Sequence, residues 1–185
     1  MGRLILVTGG ARSGKSSFAE EAVKSFGDNV VYIATSIPFD DEMKHRVKKH
    51  KEQRPSFWET IEAYKDLNRH LDGRLDSKSA VMLDCITVMA TNLMFEKCPD
   101  FERISTDDAI GVEDYVNLQI QILIDTVKSS SVPFVIVTNE IGMGIVPEHK
   151  SSRVFRDIAG RANQMLAKAA DDVYFCVSGI PMKIK

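Results

Sequence analysis

Gly9-Gly10-Ala11-Arg12-Ser13-Gly14-Lys15-Ser16 stands between an apolar run, Leu4-Ile5-Leu6-Val7-Thr8, and the segment Ser17-Phe18-Ala19-Glu20-Glu21-Ala22. The spacing Gly9-x4-Gly14-Lys15-Ser16 is that of a P-loop. Backbone N–H groups close around a phosphate only where small residues keep side chains out of the way. In such a loop Lys15 reaches the β and γ phosphates and Ser16 holds a Mg²⁺ ion. The motif requires a short buried strand before it and an amphipathic helix after it, and both patterns are present. The stretch is therefore expected to bind a nucleoside triphosphate rather than to be a plain glycine-rich turn.

Further strand-like runs recur at Val30–Ala34, Ala80–Leu83, Phe134–Thr138 and Val173–Val177, and most are continuously apolar rather than alternating. Continuous runs mark strands buried on both faces, as in a parallel sheet. Helical patterns lie between them at Ser16–Ser25, Asp41–Glu52, Tyr64–Leu71, Val88–Glu96, Val112–Ser129 and Ser152–Ala170. Alternating strand and helix implies right-handed βαβ units. The expected architecture is one α/β domain over residues 1–185: a P-loop NTPase of RecA-like type, with a mostly parallel sheet in a three-layer α/β/α arrangement. Ligand chemistry then belongs at the carboxyl ends of the strands. Four of the five runs end there in polar clusters, at Thr8-Gly9-Gly10, Thr35-Ser36, Asp84-Cys85 and Thr138-Asn139-Glu140. The last ends more plainly in Ser178-Gly179-Ile180-Pro181. Residues 97–111 lack clear periodicity, are acidic, and read as a surface loop or variable insertion.

The 185 residues are 44% hydrophobic and 27% charged, ordinary values for a globular protein. A net charge of −2 gives no general reason to expect nucleic acid or an anionic membrane as a partner. No signal-peptide pattern precedes Leu4, and no apolar run approaches the ~20 residues of a membrane span. Three scattered cysteines, Cys85, Cys98 and Cys176, form neither a paired framework nor a CxxC motif. A reducing cytoplasm is the expected setting.

Asp84 ends the apolar run Val81-Met82-Leu83, where a carboxylate at a strand tip orients Mg²⁺ directly or through water. Its competing role is to cap the following helix. Asp41 to Pro55 begins acidic and ends basic, which suits a solvated amphipathic helix. Within it Arg46 and His50 stand four apart and share a face, and Arg54 continues the line. A histidine flanked by cations suits attack on a nucleotide phosphate. Neighbouring positive charge stabilises the transition state and lowers the imidazole pKa toward its nucleophilic form.

Over essentially its full length the chain resembles the bifunctional adenosylcobinamide kinase / adenosylcobinamide-phosphate guanylyltransferase family of cobalamin biosynthesis. The matching blocks are Thr8 to Ser16, Tyr32 to Ser36, Asp41-Glu42-Met43 with Arg46 and His50, and Arg54-Pro55 with Trp58, Thr60 and Glu62. They continue as Asp84 to Thr87, Asn92-Leu93, Thr138 to Pro147, Arg153, Phe155-Arg156-Asp157, Gly160, Asn163-Gln164, Ala170-Asp171 and Ser178 to Pro181. A P-loop alone fits many families, whereas this ordered set is specific.

The resemblance implies a two-step enzyme acting on adenosylcobinamide and then on its phosphate. ATP or GTP first phosphorylates the terminal hydroxyl of the aminopropanol arm. A histidine then attacks the α-phosphate of GTP, expels pyrophosphate, and passes GMP to the cobinamide phosphate. Carried onto this chain the nucleophile is His50, with His45 as the fallback, and Lys15 serves both steps. The implied nucleotide contacts are Gly9, Gly10, Ala11, Arg12, Ser13, Gly14, Lys15, Ser16, Ala34, Thr35, Ser36, Lys51, Glu52, Gln53, Arg54, Glu62 and Asp84, with Ser16 and Asp84 at the metal. Relatives of this kind form a homotrimer.

Glu62 is either a solvent carboxylate or an acceptor for the guanine N1 and N2 donors, which adenine lacks. Trp58 packs either in the core or beside the base or corrinoid. Residues 139–147 are expected to shape the corrinoid side. Arg153 and Arg156 either bind phosphate there or solvate a helix face. The competing functions are a simple small-molecule kinase and a GTP-dependent switch, but the chain contains no Asn-Lys-x-Asp motif to support the latter.

Overall fold

A computed structural model describes residues 2–37 and 55–185. The expected helix Asp41–Glu52 lies outside the described residues, as do His45, Arg46, His50, Lys51, Glu52, Gln53 and Arg54. In chain order the elements are β1 (Leu4–Gly9), α1 (Lys15–Lys24), β2 (Val30–Ala34), β3 (Glu59–Glu62), α2 (Leu67–Leu71), β4 (Ala80–Asp84) and α3 (Ile86–Lys97). They continue with α4 (Thr106–Ser129), β5 (Phe134–Val137), α5 (Lys150–Ala169), β6 (Asp172–Val177) and β7 (Ile180–Lys183).

The strands form one seven-stranded sheet in the order β3-β2-β4-β5-β1-β6-β7. All neighbours are parallel except β7, which pairs antiparallel with β6. The expected mostly parallel α/β sheet is thus present. Successive strand residues point to opposite faces, so each apolar run supplies two cores. Leu4, Leu6, Ile33, Leu83, Phe134 and Ile136 face α2, α3, α4 and α5. Their neighbours Ile5, Val7, Tyr32, Met82, Val135 and Val137 face α1 with its Ala19 and Val23. The sheet between these two packed faces is the middle of three layers.

Two edge strands escape the apolar-run criterion. In β3, Glu59-Thr60-Ile61-Glu62, only Ile61 is buried, because an edge strand packs on one face. All four residues of β7 are exposed. The plain ending expected at 178–181 is instead a tight hairpin, with Ser178 at φ 52° and Gly179 at φ 84° between the paired Val177 and Ile180. At its far end Asp172, at the start of β6, accepts from Arg3 and pairs with Lys183 Nζ at 2.5 Å.

The reading of residues 97–111 as loop is corrected in its second half. Ser105 caps α4, its hydroxyl accepting from the Asp108 N–H at 3.0 Å, and Asp107 and Asp108 sit in the first turn where the helix dipole favours them. The helix therefore starts at Thr106 rather than Val112. Phe101 and Ile104 are buried against the α3–α4–α5 face, so the segment leading into it is packed as well.

Phe101→Ala is expected to cost about 3 kcal/mol by urea denaturation, as for a buried aromatic truncation; a free surface loop would show almost no change. The Asp172 carboxyl is held below its ordinary value of 3.8 by hydrogen bonds and charge from Lys183 and Arg3. A depressed folded value means that its contribution is complete above 3.8 and disappears as the pH falls further through the folded value. Asp172→Asn should therefore lower thermal stability at neutral pH, with the difference from the parent shrinking in acid.

Candidate active site

The phosphate loop joins the tip of β1 to the start of α1 and leans on the strand beside it. A Cβ on Gly9 would lie 2.5 Å from the Cys176 carbonyl oxygen of β6 and 2.6 Å from Ser13 Oγ. Gly14, at φ 89°, carries the helix start without a side-chain cap, and a Cβ there would lie 2.9 Å from Gly179 Cα. Only glycine fits either place. Gly10 has open space around it and Ala11 and Arg12 are exposed. Arg12 adopts φ 55°, the left-handed geometry that helps successive N–H groups converge on an anion. The first N–H groups of α1 lack acceptors within the helix, which leaves positive character at its mouth. The Thr8 and Ser13 hydroxyl oxygens are buried here without hydrogen-bond partners.

Lys15 is buried, and its Nζ donates to the Gly10 carbonyl at 2.8 Å, across its own loop. Desolvation lowers its pKa, opposed by the nearby Cys85, Asp84 and Cys176. Asp84 is the last residue of β4, two strands from β1, and its Oδ2 accepts from the Tyr32 hydroxyl at 3.3 Å. The following helix starts at Ile86 with Cys85, rather than Asp84, at the cap position. Ser16 and Asp84 offer oxygen donors. That set fits Mg²⁺, which favours one or two carboxylates plus substrate phosphates over a complete protein cage. Accordingly no group of three or more His, Cys, Asp or Glu able to hold a metal occurs among the described residues.

A buried polar network holds the neighbouring strand tips. The Thr35 hydroxyl donates to the Cys85 carbonyl at 2.8 Å and accepts from the Cys85 N–H at 2.9 Å, while Asn92 donates to the Thr35 carbonyl at 2.7 Å. Thr35 thus has its hydroxyl committed to the β2–β4 junction. Past β5, Asn139 donates to Thr87 Oγ1 at 2.6 Å, Thr138 donates to Asn163 Oδ1 at 2.7 Å, and Asn163 returns a bond to the Asn139 carbonyl at 3.0 Å. Burial, aided by Asp84, pushes the Cys85 thiol up to about 11, and burial also raises Cys176. Both are buried, unbridged thiols.

Ala34, Ser36 and Glu62 meet in a cleft of about 320 Å³ at the ends of β2 and β3, which Tyr64 and His70 also line. Glu62 is exposed at its rim. Trp58 does not reach this cleft wall: it is buried in the α1 face, 5.8 Å from Lys24 Nζ, with its indole Nε1 unpartnered. The Arg153 guanidinium donates to the carbonyls of Pro147, at 3.1 Å, and Glu148. It ties down the loop after β5, where Met143, Ile145 and Val146 are exposed. Arg156 pairs with Asp157 at 3.7 Å. Thr87, Asn92 and Asn163 support the site from helices, and the Ser178-Gly179 turn supports it from a hairpin. Of these only the Ser-Gly dipeptide carries a local signal, that of a turn.

Gly14→Ala should lose nucleotide binding by at least tenfold in isothermal titration, because the added methyl meets backbone at a left-handed residue. Gly73→Ala is the comparison: it also has a left-handed φ, of 67°, but nothing within 4 Å, and nucleotide affinity should be unchanged.

Residues 5–184 match the family model described as cobinamide kinase / cobinamide phosphate guanyltransferase. The chain is 48% identical over 184 residues to the bifunctional adenosylcobalamin biosynthesis protein CobU of Salmonella typhimurium, covering 98% of this chain and 99% of that one. It is 34% identical over 180 residues to the CobP protein of the same description from Pseudomonas aeruginosa, covering 97% and 96%. Among solved structures, the RadB recombinase superposes with a TM-score of 0.50 at 18% identity, over 94% of this chain and 73% of that one. That likeness concerns the fold alone.

Proposed function

Because the chain belongs to the cobinamide kinase / cobinamide phosphate guanyltransferase family, we propose that one triphosphate site at residues 9–16 serves two successive reactions. The protein is a bifunctional enzyme of adenosylcobalamin biosynthesis, which phosphorylates adenosylcobinamide and then transfers GMP from GTP to the resulting phosphate. The observation that carries the shared site is the phosphate loop opening on the same sheet edge as the Asp84 strand tip and the Glu62 cleft.

In the kinase step the loop N–H groups and Lys15 hold the β and γ phosphates of ATP or GTP, and the substrate hydroxyl displaces the nucleoside diphosphate from the γ-phosphorus. Lys15 is already desolvated, so little water stands between its charge and the phosphates. In the transfer step an imidazole nitrogen of His50 bonds to the α-phosphorus of GTP. The bond to the bridging oxygen breaks, and pyrophosphate leaves with that electron pair. A phosphate oxygen of adenosylcobinamide phosphate then displaces His50, giving adenosylcobinamide-GDP. Arg46 and Arg54 supply positive charge around the reacting phosphate, with Lys51, Glu52 and Gln53 beside them. Mg²⁺ at Ser16 and Asp84 would neutralise charge on the phosphates. Glu62 accepts from guanine N1 and N2 at the mouth of the Ala34–Ser36 cleft, selecting GTP for the transfer. The assembly is a cytoplasmic homotrimer on this reading.

Incubation with GTP labelled at the α-phosphate should leave label on the denatured protein. His50→Ala should remove the label yet keep kinase turnover, and Lys15→Ala should remove both. Label retained in His50→Ala would place the nucleophile elsewhere, His45 first.

A further inference from the structure

Two peptide N–H groups from outside the phosphate loop hold two of its carbonyls. The Gly179 N–H donates to the Ser13 carbonyl at 2.9 Å, and the Glu140 N–H donates to the Gly9 carbonyl at 3.0 Å. In a planar trans peptide the C=O and N–H point in opposite directions. Neither peptide here is cis. Drawing the Ser13 carbonyl toward the β6–β7 turn therefore turns the Gly14 N–H away from it. The bond from Glu140 to the Gly9 carbonyl is the next rung of the β1–β5 ladder after that from the Thr138 N–H to the Val7 carbonyl.

We propose that the backbone amide of Gly179 is a positioning group for the triphosphate, locking the Ser13–Gly14 peptide so that the Gly14 N–H faces it. This rests on residues 9–16 holding the triphosphate and adds which parts of the fold pre-form them.

The hairpin is built for such a contact. Its two-residue turn has both residues at positive φ, the type whose twist matches paired strands, so the Gly179 N–H has a defined direction. Its strands are tied at the other end by Lys183 and Asp172. The approach is backbone to backbone, with no room at Gly14 for a side chain between them. All four residues of β7 are exposed, so the strand adds little to the hydrophobic core. The Ser13 hydroxyl is buried without a partner, which leaves the carbonyl as the tie that orients this residue. Unliganded P-loop amides repel one another's positive ends, and an external acceptor-side clamp reduces the reorganisation needed when the anion arrives.

Cys176 lies three residues before Gly179, so residues 176–185 can be made as a peptide and ligated at Cys176 to residues 1–175. Replacing Gly179 by glycolic acid turns one amide into an ester, so that an oxygen stands in place of the N–H that donates to the Ser13 carbonyl. Against the all-amide ligated protein, the ester protein should bind GTP about fivefold more weakly, the range for one neutral hydrogen bond, and GMP equally well. Its KM for the triphosphate should rise with kcat nearly unchanged. The proposal is overturned by unchanged GTP affinity in the ester protein or by an equal loss for GMP. An all-amide protein that binds GTP no tighter than GMP would refute the triphosphate reading itself, and the positioning role with it.

Discussion

A parallel strand cannot turn straight back into its neighbour, and most of this structure follows from that constraint. Each return journey takes a crossover, so the carboxyl ends of β1 to β6 all open on one edge of the sheet. The strand order β3-β2-β4-β5-β1-β6 then sets side by side residues far apart in sequence: Glu62, Ala34, Asp84, Asn139, Gly9 and Cys176. Helices on both faces keep the strands dry, and the polar groups of the chain collect where the strands end.

Those ends would be costly if their polar atoms were unpaired, since a buried hydrogen-bonding group without a partner loses its hydration. Here the atoms pair with one another across elements. Thr35 bridges β2 to Cys85, Asn92 holds Thr35, and Asn163 holds both Thr138 and Asn139. The network fixes the spacing between strand tips before any ligand is present. The exceptions, the Thr8 and Ser13 hydroxyls, lie in and next to the phosphate loop. Rigid walls and unspent polar groups in one place are what phosphoryl and nucleotidyl transfer require, because catalysis there depends chiefly on positioning and charge.

Much of the site was legible because its signals are local. The loop spacing, the carboxylate closing the run Val81-Met82-Leu83, and the polar ends of four strands are all written in consecutive residues. Signals that depend on a partner were not. Thr60 and Ile61 sit on an edge strand recognisable only from its pairing with β2. The exposed β7 offers no apolar run at all. Phe101 and Ile104 look like stray apolar residues in an acidic stretch until α3, α4 and α5 supply the surface they pack against. Arg153 reads by its charge as a phosphate ligand or a solvated helix residue, and its bonds to the carbonyls of its own preceding loop carry no sequence signal. The 38–54 segment, with His50, lies outside the described residues and stands on sequence alone.

By itself the sequence determined the alternation of buried strands and helices, a triphosphate-sized anion site at residues 9–16, and the family whose ordered blocks run from Thr8 to Pro181. These depend on side-chain type and spacing along the chain, which hydrophobic periodicity and backbone sterics translate directly into local structure. Only the tertiary structure decided which strand lies beside which, that Thr35 is bound into the sheet edge, that Trp58 belongs to the core, and that Glu140 and Gly179 grip the phosphate loop. Those outcomes rest on packing and hydrogen bonds between groups far apart in sequence, such as Ser13 and Gly179, whose meeting depends on sheet order and not on any neighbour in sequence.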